Sequence, residues 1–69
     1  MEQEIREKLA HNLKVERAKK NWTQEQLAEL SDVSTKHVTK IETLKVTPSI
    51  YIVYKFSKAL GVTIDDLLK

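Results

Sequence analysis

Apolar residues return along this chain at every third or fourth position, and nowhere alternate with polar ones for long enough to make a strand. Ile5, Leu9 and Leu13 set the period of a first helix, from Gln3 to about Lys20. Asn21 follows two lysines. Asn tolerates the left-handed backbone of a helix C-cap, and basic side chains suit the negative end of the helix dipole. Thr23 to Gln26 reads T-x-x-Q, a capping box, with Trp22 and Leu27 placed around it as a hydrophobic staple. That predicts a second helix from Gln24 to about Leu30, with Leu27, Ala28 and Leu30 facing inward. Asp32 suits a left-handed turn position. Ser34 then caps a third helix, about Thr35 to Thr43, with Val33 and Val38 as its staple. Pro48 stops helical continuation backwards. Ser49 caps a fourth helix, Ile50 to Leu60, which ends at Gly61, the single glycine, where a left-handed cap is expected. Thr63 caps a fifth, Ile64 to about Leu68, stapled by Val62 and Leu67. Asp65 and Asp66 sit in its first turn, where the dipole favours negative charge. The pattern is all-α: five short helices, the second and third joined by a tight turn.

Composition narrows the function classes. Sixty-nine residues leave room for one domain, 1–69, and a chain that is 41% apolar and 32% charged is globular rather than disordered. A domain this small buries only roughly 60% of the surface its unfolded chain exposes, so stability must come from helix packing or a partner subunit. The absence of Cys excludes a disulfide framework and a thiol nucleophile. His11 and His37 have no ligand-spaced companions, so no metal site is expected. No nucleophile–base pair or Gly-rich phosphate loop stands out; no catalytic residue, cofactor or small-molecule ligand is implied, and an enzyme is the poorest reading. No run of 18 apolar residues is present, so no membrane partner is expected, and the start MEQEIREKLA has neither signal nor transit character. A cytoplasmic location follows. A net charge of +2 does not by itself announce a nucleic acid. The distribution of charge has to carry that argument.

The third helix concentrates it. At about 100° per residue, Val38 and Ile41 share one direction. Lys36 and Lys40 take the opposite one, with Thr35 and Thr39 on one shoulder and His37 on the other. The outward face thus carries two lysines one turn apart, two threonines and no acid, and Lys45 extends the positive charge into the next loop. Such a face is either a solvated amphipathic surface or a recognition helix in a DNA major groove. There, Lys meets guanine O6/N7 or phosphate, and Thr offers hydroxyl or methyl to base edges. The helix alone does not decide between them.

The order of signals along the chain does. Thr23-Gln24-Glu25-Gln26-Leu27-Ala28, Asp32-Val33-Ser34, Val38-x-x-Ile41-Glu42, Thr47-Pro48-Ser49 and Lys58-Ala59-Leu60-Gly61-Val62 follow one another. From about Ile5 to Leu68 the chain closely resembles the Cro/CI-type (lambda-repressor-like, XRE) helix-turn-helix family. The resemblance implies a compact five-helix domain whose DNA-binding unit is helices two and three, about 23–42. It implies that Thr35, Lys36, Thr39 and Lys40 reach base edges. It implies that Gln24 holds a phosphate and braces the start of the recognition helix. Thr23, Ser34 and His37 join Gln24 as phosphate candidates at and beside the helix starts, and Thr43 to Lys45 match a loop that touches the other strand's backbone, with Thr43 and Lys45 the candidate residues. Arg17 and Glu42 match a largely buried structural ion pair. Three departures stand out: Asp32 and Asn21 where Gly is usual, and Glu42-Thr43-Leu44 where the family reads Glu-Asn-Gly, Leu being a poor left-handed residue.

Trp22 reads as a staple or core residue, and Tyr54 and Phe56 as core. Tyr51 and Ile52 stand where polar residues are common and, with Ile64 and Leu68, form a candidate self-association patch. The resulting expectation is a sequence-specific double-stranded DNA-binding regulator of bacterial or phage type, nucleoid-associated when bound. It acts as a homodimeric repressor on an inverted repeat with half-sites about 34–36 Å apart. The alternative is a protein-interaction module on the same fold, such as an antitoxin or co-activator relative.

Overall fold

After the first, each helix begins where a side chain satisfies backbone donors that a helix start leaves open. The computed structural model describes residues 2–69 and places α1 at Gln3–Lys19, α2 at Gln24–Ser31, α3 at Thr35–Glu42, α4 at Ile50–Leu60 and α5 at Ile64–Leu68, with no strand among the described residues. Of the five starts, four carry a side-chain cap: Thr23, Ser34, Ser49 and Thr63 all accept from a backbone N–H in the first turn. At Thr23 and Thr63 the capping box is complete, with Gln26 and Asp66 reaching back.

Helix ends are closed with equal regularity. Asn21, Asp32, Leu44 and Gly61 all lie in the left-handed region, at φ of 57°, 57°, 64° and 72°. After each, the next N–H returns across the last helical turn: Trp22 to the Arg17 carbonyl, Val33 to Ala28, Lys45 to Lys40 and Val62 to Ser57. These are Schellman-type caps, which let α1, α2, α3 and α4 stop abruptly and the chain turn back on itself.

The core is shared by all five helices. Leu9 and Leu13 of α1, Leu27 and Ala28 of α2, Val38 and Ile41 of α3, Val53, Phe56 and Leu60 of α4 and Leu67 of α5 form one buried cluster. Helix α1 packs on α3 and α5, α2 on α3 and α4, and α4 on α5. The Asn12 amide ties α5 down by donating to the Leu67 carbonyl (2.9 Å). Trp22, Val33 and Val62, which precede the caps of α2, α3 and α5, all pack partly buried against the cluster, as the staple reading expects.

Two inward assignments are corrected. Leu30 is 58% exposed, and Ser31 lies buried instead. Ser31 follows Leu27 by one turn and so shares its direction, and its hydroxyl is satisfied by the Leu27 carbonyl. Tyr54 is 46% exposed while Phe56 is fully buried. Two positions along a helix separate side chains by about 200°, so only one of this pair can face the core.

Candidate nucleic-acid interface

Helix α3 is too short to hold its own shape. Eight residues fall below the roughly 12–15 at which an isolated helix becomes even marginal, so tertiary contacts must orient it. On its inner side Val38 and Ile41 are buried. On its outer side Lys36 is exposed and Lys40 half-buried. Among the described residues neither ammonium group joins an ion pair; the bridges formed are Lys8–Glu4, Arg17–Glu42, Lys19–Glu16, Lys55–Asp32 and Lys69 with Asp65 and Asp66. Two cations one turn apart are thus left to solvent on the face opposite the core.

A polar network fixes the angle at which α2 and α3 meet. The Glu42 carboxylate is almost wholly buried, its side chain 1% exposed. Arg17 clamps it in bidentate fashion, Nε to Oε2 at 3.1 Å and Nη2 to Oε1 at 3.0 Å, and its third donor, Nη1, reaches the Trp22 carbonyl at 2.9 Å. Gln24 adds a third bond to the carboxylate, Nε2 to Oε1 at 2.9 Å, while its own Oε1 accepts the Thr39 hydroxyl at 2.8 Å. One amide therefore joins the first residue of α2 to the middle and the end of α3. The brace expected at the start of α3 lies further along it, because the Gln24 side chain reaches Thr39 and Glu42, one face of the helix at i and i+3.

These bonds define what the remaining residues have left to offer. The Thr39 hydroxyl has one proton, directed at Gln24 or at the Thr35 carbonyl (3.1 Å). A base edge would meet its methyl group and lone pairs. Thr35 is exposed. Thr23 and Ser34 use their hydroxyl oxygens to accept the N–H of Gln26 and His37, which leaves each hydroxyl proton free to donate outward. The His37 ring is half-buried on the flank of α3. Thr43 turns its proton back to the Thr39 carbonyl at 2.7 Å, so its side chain has no donor left for a phosphate. Lys45 is exposed at the turn that closes α3.

Helix α2 carries a separate feature on the stripe opposite Gln24. Trp22, Gln26, Glu29 and Leu30 line an open groove of about 220 Å³, smaller than the roughly 300 Å³ at which ligand pockets begin. Lys20 lies over the Trp22 ring at 5.3 Å.

The self-association patch is redistributed. Of its four residues Tyr51 is exposed, while Ile52, Ile64 and Leu68 pack partly buried against the core. The exposed apolar side chains of α4 are instead Ile50, Tyr51 and Tyr54, which share its outer side, with Lys55 over Tyr51 at 4.7 Å and Lys58 over Tyr54 at 5.4 Å. Ile50 carries no sequence signal of its own; a helical wheel anchored on Phe56 would have found both it and Tyr54.

Comparison with known proteins places this geometry. A family model described as helix-turn-helix matches residues 13–67. An uncharacterized helix-turn-helix-type transcriptional regulator of Methanocaldococcus jannaschii is 39% identical over 59 residues, 86% of this chain and 89% of that protein. A hypothetical transcription factor of Neisseria meningitidis is 33% identical over 97% of this chain, which spans 63% of that relative's length. Among solved structures, a Neisseria hypothetical transcription factor superposes with a TM-score of 0.91 at 31% identity, covering 94% of this chain and 75% of the other. The restriction-modification controller protein C.AhdI of Aeromonas hydrophila gives 0.85 at 27% identity, covering 90% and 94%. The clp gene regulator ClgR of Corynebacterium glutamicum gives 0.85 at 33% identity, covering 93% and 68%.

Proposed function

The chain belongs to the Cro/CI-type (XRE) helix-turn-helix family of transcriptional regulators, non-enzymatic DNA-binding proteins, and from that premise we propose that it is a cytoplasmic repressor that binds an inverted-repeat operator as a homodimer. The observation that carries the reading is the asymmetry of α3: Val38 and Ile41 are buried, while Lys36 and Lys40 stand on the opposite side without an acidic partner among the described residues. Inserted in a major groove, that side directs Lys36, Lys40, Thr35 and the methyl of Thr39 to base edges. The hydroxyls of Thr23 and Ser34, together with His37 and Lys45, flank it at phosphate level, and the first N–H groups of α2 point the same way.

One eight-residue helix makes few base contacts, so useful discrimination needs two half-sites. The outer side of α4, with Ile50, Tyr51 and Tyr54, offers a second copy an apolar surface in a domain whose own core is thin. Repression then follows from occupancy of the operator.

Selection of bound duplexes from a random library, at stated salt, tests the proposal. The expected product is a palindromic consensus with half-sites about one helical turn apart, bound with log K falling by about 0.9 per phosphate neutralised as log salt rises. A chain that enriches no duplex at physiological ionic strength refutes it and leaves the protein-interaction alternative.

A further inference from the structure

The loop after α3 carries a conformational problem, and α1 supplies the answer. Leu44 sits at φ 64°, in the left-handed region that a Leu side chain enters only against steric resistance. Asn21 and Asp32, in the same conformation, have short polar side chains suited to it; Gly61 has none to strain. Leu44 has neither advantage, yet its position decides the loop. With Leu44 left-handed, its own N–H bonds to Ile41 (3.2 Å) and the Lys45 N–H bonds to Lys40 (2.8 Å), so α3 ends there and Lys45 leaves at a fixed angle.

The Arg6 guanidinium reaches across from α1 and donates from Nη2 to the Leu44 carbonyl at 2.8 Å. Its Nη1 donates to Gln3 (3.1 Å), and its buried Nε has no partner. No carboxylate is paired with Arg6 among the described residues; the strongest contact of this cation is one backbone carbonyl. A hydrogen bond to a charged donor is about twice as strong as a neutral one, and a buried N–H left unmatched is a cost that a residue serving only to decorate a helix would not incur. Arg6 lies in the first half of α1, ahead of the residues 13–67 that the family model matches.

We infer that Arg6 is a positioning residue for the DNA-backbone loop: by holding the Leu44 carbonyl it keeps a disfavoured left-handed turn in place and so sets the angle at which Lys45 meets phosphate. The inference rests on the DNA-binding reading for what the loop touches, and on geometry alone for the hold itself. Arg6 touches no base in this account. It acts through Leu44.

The test uses the full chain with Arg6→Met, which keeps the stem and removes the donors, Arg6→Lys, which restores one charged donor, and Leu44→Gly, which adopts φ > 0 unaided. Two readouts are taken: amide hydrogen exchange at Lys45, and duplex affinity as a function of salt. Arg6→Met is expected to speed exchange at Lys45 on the order of tenfold, with amides of the α1–α4 core unchanged. It makes the salt slope shallower by about 0.9, one phosphate contact. Arg6→Lys recovers part of both. In the Leu44→Gly background Arg6→Met changes neither, because glycine no longer needs holding.

Unchanged Lys45 exchange in Arg6→Met overturns the inference. So does a loss of slope that persists at full size in the Leu44→Gly background, since that marks Arg6 as a phosphate contact in its own right. Exchange that rises equally over the whole chain overturns it too, as a general stability effect. If no duplex is bound by the wild-type chain, the functional reading falls while the exchange arm still decides whether Arg6 holds the loop.

Discussion

Removing Arg17 isolates a buried charge. In Arg17→Met the Glu42 carboxylate, its side chain 1% exposed, loses the bidentate clamp and keeps one neutral donor, the Gln24 amide. Two bonds to a charged group at about 1.5–3 kcal/mol each set a gross loss of about 3–6 kcal/mol. The Arg17 side chain is 20% exposed, so water partly replaces it, and a net loss of about 3–4 kcal/mol is expected, within the range for breaking a buried pair. A 69-residue domain at about 0.05–0.15 kcal/mol per residue holds roughly 3–10 kcal/mol in all. The single variant is therefore expected to lose a third of its stability or more, and to unfold at 25 °C if the wild type lies at the low end. Replacing both partners, Arg17→Met with Glu42→Leu, removes the stranded charge and should recover most of the loss, because an apolar pair of similar volume does not have to be desolvated. Urea titration followed by far-ultraviolet circular dichroism, with the two single variants closing the cycle, measures both steps. A single-variant cost below about 1 kcal/mol, the range of exposed pairs, or a double variant no better than Arg17→Met, would refute the reasoning.

The remaining expectations concern binding and pH. Lys36→Ala and Lys40→Ala should each weaken operator binding by about 1–3 kcal/mol with relaxed preference at one base pair; an equal loss on every sequence assigns that lysine to phosphate. Replacing Tyr51 and Tyr54 together by Lys should shift the chain from dimer to monomer in sedimentation and remove the dependence of its unfolding midpoint on protein concentration, and a wild type that is already monomeric at high concentration sinks the α4 interface. The Thr63 backbone N–H, then its hydroxyl, hold the Asp66 carboxyl below the usual carboxylate range. A depressed folded-state value adds stability above the unfolded pKa and loses it as pH falls through the folded one. Wild type should therefore lead Asp66→Asn in stability near neutrality, with the lead shrinking in acid; a constant lead contradicts the assignment.

Helix starts were legible because their chemistry is local. Thr23, Ser34, Ser49 and Thr63 each bond an N–H within one turn, so a four-residue window contains the whole cause. Helix ends at Asn21, Asp32 and Gly61 were legible for the same reason. Leu44 was not, because its conformation is held from Arg6, which is 38 positions away. Gln24 shows the same limit inside the site. Its place at the start of α2 follows from the capping box, but its partners, Thr39 and Glu42, depend on how two helices cross. The errors at Leu30 and Tyr54 have a different origin: both are large and apolar, and residue type was weighed above angular position. Buried Ser31 shows that direction decides.

The polar network and the apolar core divide the work of presenting α3. Burial of Val38 and Ile41 is non-directional; it brings α3 against the body of the domain but would tolerate sliding or rotation by a fraction of a turn. Hydrogen bonds do not tolerate it. Gln24 must offer its amide nitrogen to Glu42 and its oxygen to Thr39 at once, and Arg17 must meet both carboxylate oxygens, so one rotation and one axial position satisfy all of them. An ion pair that adds little net stability over an apolar one is then well placed as a device for register. The consequence at the outer surface is direct. Lys36 and Lys40 leave the helix in directions fixed by Val38, Ile41 and Glu42 on the other side, so residues that never reach solvent set which way the two cations point.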